Sequence, residues 1–191
     1  MSEFSHVAAS GPQSVKTSGW GTKQLVVMAL FTALSVIVSF IEVPIFPAAP
    51  FLKYDASACI AVLGGFAYGP AAGVVIGIAS AAIHGLIMGD PWGSLMTIIC
   101  VVCWTVPAVL IYRTNKSATR TLVGLVVGCV CAVAGAIVGN LAITPIYTGT
   151  DVATVAAMIL PILLPFNALK SIINTVLSFV LTKPVTSLVG E

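Results

Sequence analysis

From Ala56 to Gly89 the chain reads ASACIAVLGGFAYGPAAGVVIGIASAAIHGLIMG, and its only ionisable side chains are Cys59, Tyr68 and His84. So apolar a stretch belongs in lipid or in a protein core. At about 1.5 Å per residue it is also too long for one helix across a hydrocarbon layer of about 30 Å. The break falls at Gly69-Pro70, because glycine suits a helix end and proline suits the first helical position. A short helix and a longer one, ending near Gly89, are therefore expected in place of a single span.

Other charge-free windows lie on either side. One is bounded by Lys23 and Glu42, one runs from Pro91 to about Tyr112, one from Thr121 to about Thr144, and one from about Ala157 to Thr182. The expectation is an all-α integral membrane protein of six transmembrane helices, occupying residues 23–185 behind a polar, disordered tail of residues 1–22. That tail lacks the apolar region of a cleavable signal. The whole chain supports this reading: 191 residues, 59% hydrophobic and 7% charged, against about 25% charged in soluble domains. No room is left for a soluble catalytic domain, and a net charge of +2 gives no argument for nucleic acid.

Charge placement orients the bundle. With six spans and both termini cytoplasmic, the inner segments hold Lys16, Lys23, Arg113, Lys116, Arg120 and Lys183, while the outer side holds Lys53 with Glu42, Asp55, Asp90 and Asp151. That is the positive-inside pattern. Fusing the two helices at Gly69-Pro70 would put the basic Arg113–Arg120 loop and the N-terminal lysines on opposite faces. Small residues at four-residue spacing, above all Gly124, Gly128 and Ala132, mark faces where helices approach closely.

Lys170 is the one basic residue that belongs to no loop. It lies mid-way along the last span, where an ionisable group is costly and therefore a functional candidate. Asn167 and Asn174 share its helix face, and Pro165 deprives the Pro161 carbonyl of its helical partner. Asn140, near the outer end of the fifth span, lies at similar depth. Asn140 and Asn167 could equally serve as hydrogen-bonding glue between helices. The connection from Glu42 to Asp55, EVPIFPAAPFLKYD, is stiffened by three prolines and carries Phe46, Phe51 and Tyr54. It suits a lid over a planar ligand, although an aromatic belt at the membrane interface would read the same way. Asp90, Pro91 and Trp92 could line the same mouth. His84 is either a packing residue or a further ligand contact.

No span carries a carboxylate in its core, as an ion-coupled carrier would want. No phosphate loop, metal-ligand set or nucleophile–base pair is present, so no catalytic or metal residues are assigned. Cys100 and Cys103 form a CxxC without the other two ligands of a zinc site or the βαβ setting of a redox motif. They read as small buried hydrophobes. A polar outer pocket without an energy source suggests a binding subunit powered by others.

The segments FLKYDAS (Phe51–Ser57), GGFAYGPAAG (Gly64–Gly73), NLAITPIY (Asn140–Tyr147) and LPFNALKSIIN (Leu164–Asn174) closely resemble the riboflavin-specific S components of energy-coupling factor (ECF) transporters. The similarity covers about residues 24–182. It implies the S-component fold in a prokaryotic plasma membrane, and high-affinity capture of riboflavin as cargo, with no cofactor. It also implies partners: a membrane scaffold subunit and two ATP-binding cassette ATPases. On this resemblance Asn140, Asn167 and Lys170 match flavin contacts, with Asp55, Tyr54, Phe51, Trp92 and His84 around them. Ala29 and Ala33 match an AxxxA pair that docks the scaffold. Two departures are visible: Ala58 stands where the family usually has an acid, and Ser171 where glycine is common. The competing readings are an S component for another vitamin (thiamine, biotin, pyridoxine or a queuosine precursor), a stand-alone flavin facilitator, and a small intramembrane redox protein using Cys100 and Cys103.

Overall fold

The computed structural model describes residues 19–45 and 52–189. The helices are α1 (Thr22–Ser39), α2 (Ser57–Tyr68), α3 (Pro70–Met88), α4 (Pro91–Thr114), α5 (Ala118–Thr148), α6 (Val152–Met158) and α7 (Leu164–Leu188), with a π-helical turn, Ile159–Leu163, joining the last two. The described residues contain no strand beyond one isolated antiparallel bridge between Val43 and Tyr54. The expected tail overlaps residues 1–18, which lie outside the described residues.

Helix ends follow local chemistry. Gly69 sits at φ 104° between α2 and α3, a conformation closed to most side chains, and Pro70 opens α3. Gly89 and Gly149 end their helices in the left-handed region. Asp90, Ser117 and Asp151 then cap the next helix by accepting from Gly93, Arg120 and Thr154 backbone N–H groups. Between Met158 and Leu164 the regular ladder is broken. The Leu164 N–H reaches the Ile159 carbonyl, and Pro161 lies inside the turn. The last span is therefore longer than expected, running from Val152 to Leu188, and its regular helix is interrupted above Lys170. The π turn is the accommodation for two prolines four residues apart.

The expected break at Gly69-Pro70 turns the chain back on itself. A Cβ on Gly73 would come within 2.9 Å of the Gly65 Cα, and one on Gly77 within 3.4 Å of the Ala61 Cβ, the pairing of an antiparallel hairpin. Beside that turn lies the Arg113 guanidinium at the far end of α4, so both belong to the same, cytoplasmic end. Among the described residues five helical spans are long and apolar enough to cross a membrane; α2 is shorter, about 18 Å. It need not face lipid along its length. Cys59 to Ala67 are all buried, packed by α1, α3, α4 and α7.

The core is two clusters sharing α2 and α4: one around Phe66, Trp104, Val109 and Leu125, the other around Met28, Ile76 and Val101. The α4–α5 pair is the most extensive contact of the bundle. It depends on glycine, because a Cβ on Gly124 would stand 2.6 Å from the Ala108 carbonyl oxygen and one on Gly128 2.5 Å from that of Trp104. Backbone cannot give as a flexible side chain would. Gly124→Val should therefore lower stability by about 1–3 kcal/mol, read as a drop in the thermal midpoint of the purified protein. Gly21→Ala, with nothing within 4 Å, should leave the midpoint unchanged.

Candidate ligand site

At the outer end the helices part around a cavity of about 590 Å³, within the range usual for small-molecule sites. Lys170 reaches it from the second turn of α7, just below the π turn. Its ammonium donates to Asp55 Oδ2 at 2.9 Å, with the two side chains 23% and 15% exposed. The lysine expected to face an open polar pocket is thus already paired, and the missing intramembrane carboxylate comes from the α1–α2 connection. Asp55 is held from its other side by the Ser57 backbone N–H at 3.0 Å and by the Ser57 hydroxyl. Burial alone would push the Asp55 carboxyl up. The Lys170 ammonium and the Ser57 hydrogen bonds outweigh it and hold the group below the ordinary carboxylate range.

Asn140 and Asn167 line the same cavity. Each amide nitrogen is anchored one turn back, Asn140 to the Ala136 carbonyl and Asn167 to the Leu163 carbonyl, both at 2.7 Å. Asn140 Oδ1 also accepts from Thr144 at 3.1 Å. An amide nitrogen carries two hydrogens, so each can still donate while its orientation is fixed. Trp92 stacks on Tyr147, with ring centroids 6.0 Å apart and planes 20° apart, and both rings are lining residues together with Met96, Trp104 and Phe166. The lining thus combines hydrogen-bonding groups with aromatic and aliphatic surface.

The remaining candidates fall elsewhere. Tyr54 donates from its hydroxyl to Asn174 Oδ1 at 2.9 Å and pairs with Val43 through its backbone at 2.8 and 2.9 Å; it ties the loop down, outside the cavity lining. Burial pushes its phenol up to about 12, with Cys59 and Asp55 adding to the shift. His84 lines a separate, smaller cavity. Phe51 lies outside the described residues, as does Phe46, so the expected aromatic lid is described only at its two ends. Ala29 and Ala33 are both exposed on α1, flanked by exposed Leu30, Leu34 and Ile37. Cys100 and Cys103 are free thiols, Cys100 in the cavity wall and Cys103 against Gly135.

Residues 23–182 match the profile of the family described as ECF transporter, substrate-specific component. This chain belongs to that family. A solved S component of a bacterial ECF transporter superposes with a TM-score of 0.76 at 23% identity, covering 88% of this chain and 98% of that one, and so shares the fold. Two curated relatives are the Riboflavin transporter FmnP of Bacillus subtilis, 29% identical over 85% of this chain and 93% of that protein, and the Riboflavin transporter RibU of Staphylococcus aureus, 27% identical over 56% of this chain. The alignment spans 58% of the Staphylococcus aureus protein. This ECF substrate-specific component is accordingly an integral membrane protein.

Three contributors were not singled out beforehand: Ser57, which holds Asp55; Thr144, which orients Asn140; and Tyr147, which stacks on Trp92. All three lie inside the quoted motifs, Ser57 at the end of FLKYDAS and Thr144 and Tyr147 in NLAITPIY, but nothing in those motifs gives their roles. The ion pair yields a test without any ligand. Removing one partner strands the other charge, so Asp55→Asn or Lys170→Met alone should cost about 1–3 kcal/mol, below the fully buried figure because both groups keep some solvent. The double variant should cost less than the sum of the two. Because the folded Asp55 pKa is depressed, the contribution of the pair is complete above about pH 4 and is lost as pH falls through the folded value. Thermal midpoints of the four proteins from pH 7 to pH 3 check both statements.

Proposed function

We propose that this chain captures free riboflavin at the outer face of the membrane, as the cargo of an uptake transporter driven by ATP hydrolysis in partner subunits. The observation that carries the reading is the cavity itself. The isoalloxazine ring has a pyrimidinedione edge with two carbonyls and one N–H, and it has an apolar dimethylbenzene end. The cavity brings the ammonium of Lys170 and the amides of Asn140 and Asn167 together with Trp92, Tyr147 and Phe166. The names of the two curated relatives add support. Both cations in the cavity wall are already engaged, Lys53 with Glu42 at 2.5 Å and Lys170 with Asp55. A phosphate would find no free positive charge there, so FMN should bind more weakly than riboflavin. Transport would require a membrane scaffold and two ATPases, for which the exposed Ala29–Ala33 face of α1 is the docking candidate, since only small side chains let another helix approach closely.

Titration of the purified apoprotein should quench riboflavin fluorescence by stacking, with a break near one equivalent. Absence of quenching at micromolar riboflavin would sink the proposal. Lys170→Met removes a donor whose loss costs roughly 1–3 kcal/mol or more, so affinity should fall about tenfold to a few hundredfold. Asn167→Leu should act in the same direction. Ala29→Leu and Ala33→Leu should leave affinity unchanged while uptake by cells carrying the ATPase module falls. An equal loss of binding would show that these alanines pack within the bundle.

A further inference from the structure

Behind the Asp55–Lys170 pair lies a second cavity of about 250 Å³. Asp55, Lys170, Ser57 and Thr97 line both cavities, so the two meet at the ion pair. Their characters differ. The larger presents mainly apolar surface, while the walls of the smaller include Glu42, Ser39, Ser80, His84 and Ser94. Ser39, Ser80 and Ser94 already donate to helix carbonyls, those of Val36, Gly77 and Ala81. Glu42 Oε2 takes Lys53 at 2.5 Å. His84 Nε2 is different: it is buried and has no hydrogen-bond partner among the described residues. The ring is steadied by Phe40, centroids 5.0 Å apart, and Nε2 stands 3.8 Å from Glu42 Oε1, too far for a direct hydrogen bond.

A buried polar atom without a partner costs free energy, and the 3.8 Å gap between His84 Nε2 and Glu42 Oε1 is spanned by one oxygen at about 2.8 Å from each. A hydroxyl fits, since it donates its one hydrogen to the carboxylate and accepts from the imidazole Nε2–H. Resting on the riboflavin reading above, we infer that the smaller cavity is the subsite for the polyol tail and that His84, with Glu42, selects for a hydroxylated chain. The connectivity of riboflavin agrees. Its tail leaves N10 on the same side of the ring as the C2 carbonyl, so a ring held at Lys170 by that carbonyl starts its tail at the junction of the cavities. The larger cavity then reads the ring, and the smaller one reads the tail.

The test compares riboflavin with lumiflavin, the same ring bearing a methyl group in place of the polyol, on the full-length protein in detergent. His84→Leu should weaken riboflavin roughly tenfold and leave lumiflavin affinity unchanged, which also shows that the variant is folded. His84→Gln, which keeps a donor and an acceptor, should recover part of the riboflavin loss. Equal losses for both flavins would mean that His84 only packs the bundle, and unchanged riboflavin affinity would mean that the small cavity holds water alone. Either result overturns the inference while leaving riboflavin binding in place. A wild-type chain that binds neither flavin would overturn the riboflavin reading itself, and the subsite with it.

Discussion

The Asp55–Lys170 ion pair is the constraint on which the outer half of the molecule depends. A lysine in the middle of the last span is tolerable only if a partner reaches it, and the nearest carboxylate comes from a connecting loop rather than a helix. Several features serve that reach. Val43 and Tyr54 pair across the loop, the Tyr54 hydroxyl bonds Asn174, and Ser57 fixes the carboxylate at the start of α2. The α1–α2 connection is thus tied to α7 through Asn174 and Lys170, which both line the cavity. The boundary between the larger and smaller cavities therefore includes an ion pair.

Below that level the bundle follows a different rule. Lipid gives no hydrophobic drive for helix association, so contact is made by close approach over small residues. Gly73 and Gly77 let α3 lie on α2 and α4, while Gly124 and Gly128 let α5 lie on α4. The short α2 is buried by this arrangement, which is why a segment too short to span the bilayer unaided sits securely inside. The cytoplasmic half is packed tightly, and the outer half is left open around the polar residues. That division of labour suits the proposed capture of cargo from outside.

Much of this was legible in the residues. The hairpin at Gly69-Pro70, the charge bias of the loops and the shared face of Asn167, Lys170 and Asn174 rest on local chemistry, and they carry the fold and half of the site. The pairing of Lys170 with Asp55 does not, because the two are 115 positions apart and helical periodicity says nothing about which loop folds over a given face. The π turn was hidden for another reason. The positions of Pro161 and Pro165 indicate a disturbed ladder but not whether the helix breaks, kinks or gains a residue. Tyr54 illustrates a third limit: an aromatic in a loop beside a pocket suggested a ligand face, whereas its hydroxyl is committed to Asn174. His84 looked ambiguous as a lone histidine, and only its unpartnered nitrogen distinguishes it.

The most direct test is an experimental structure of the protein with riboflavin bound, at a resolution that orients the ring. The account predicts density for the isoalloxazine in the larger cavity, its pyrimidinedione edge within hydrogen-bonding distance of Lys170 and Asn167, and its apolar end toward Trp92 and Tyr147. A flavin lying outside that cavity, or with its dimethylbenzene end against the Asp55–Lys170 pair, would contradict it.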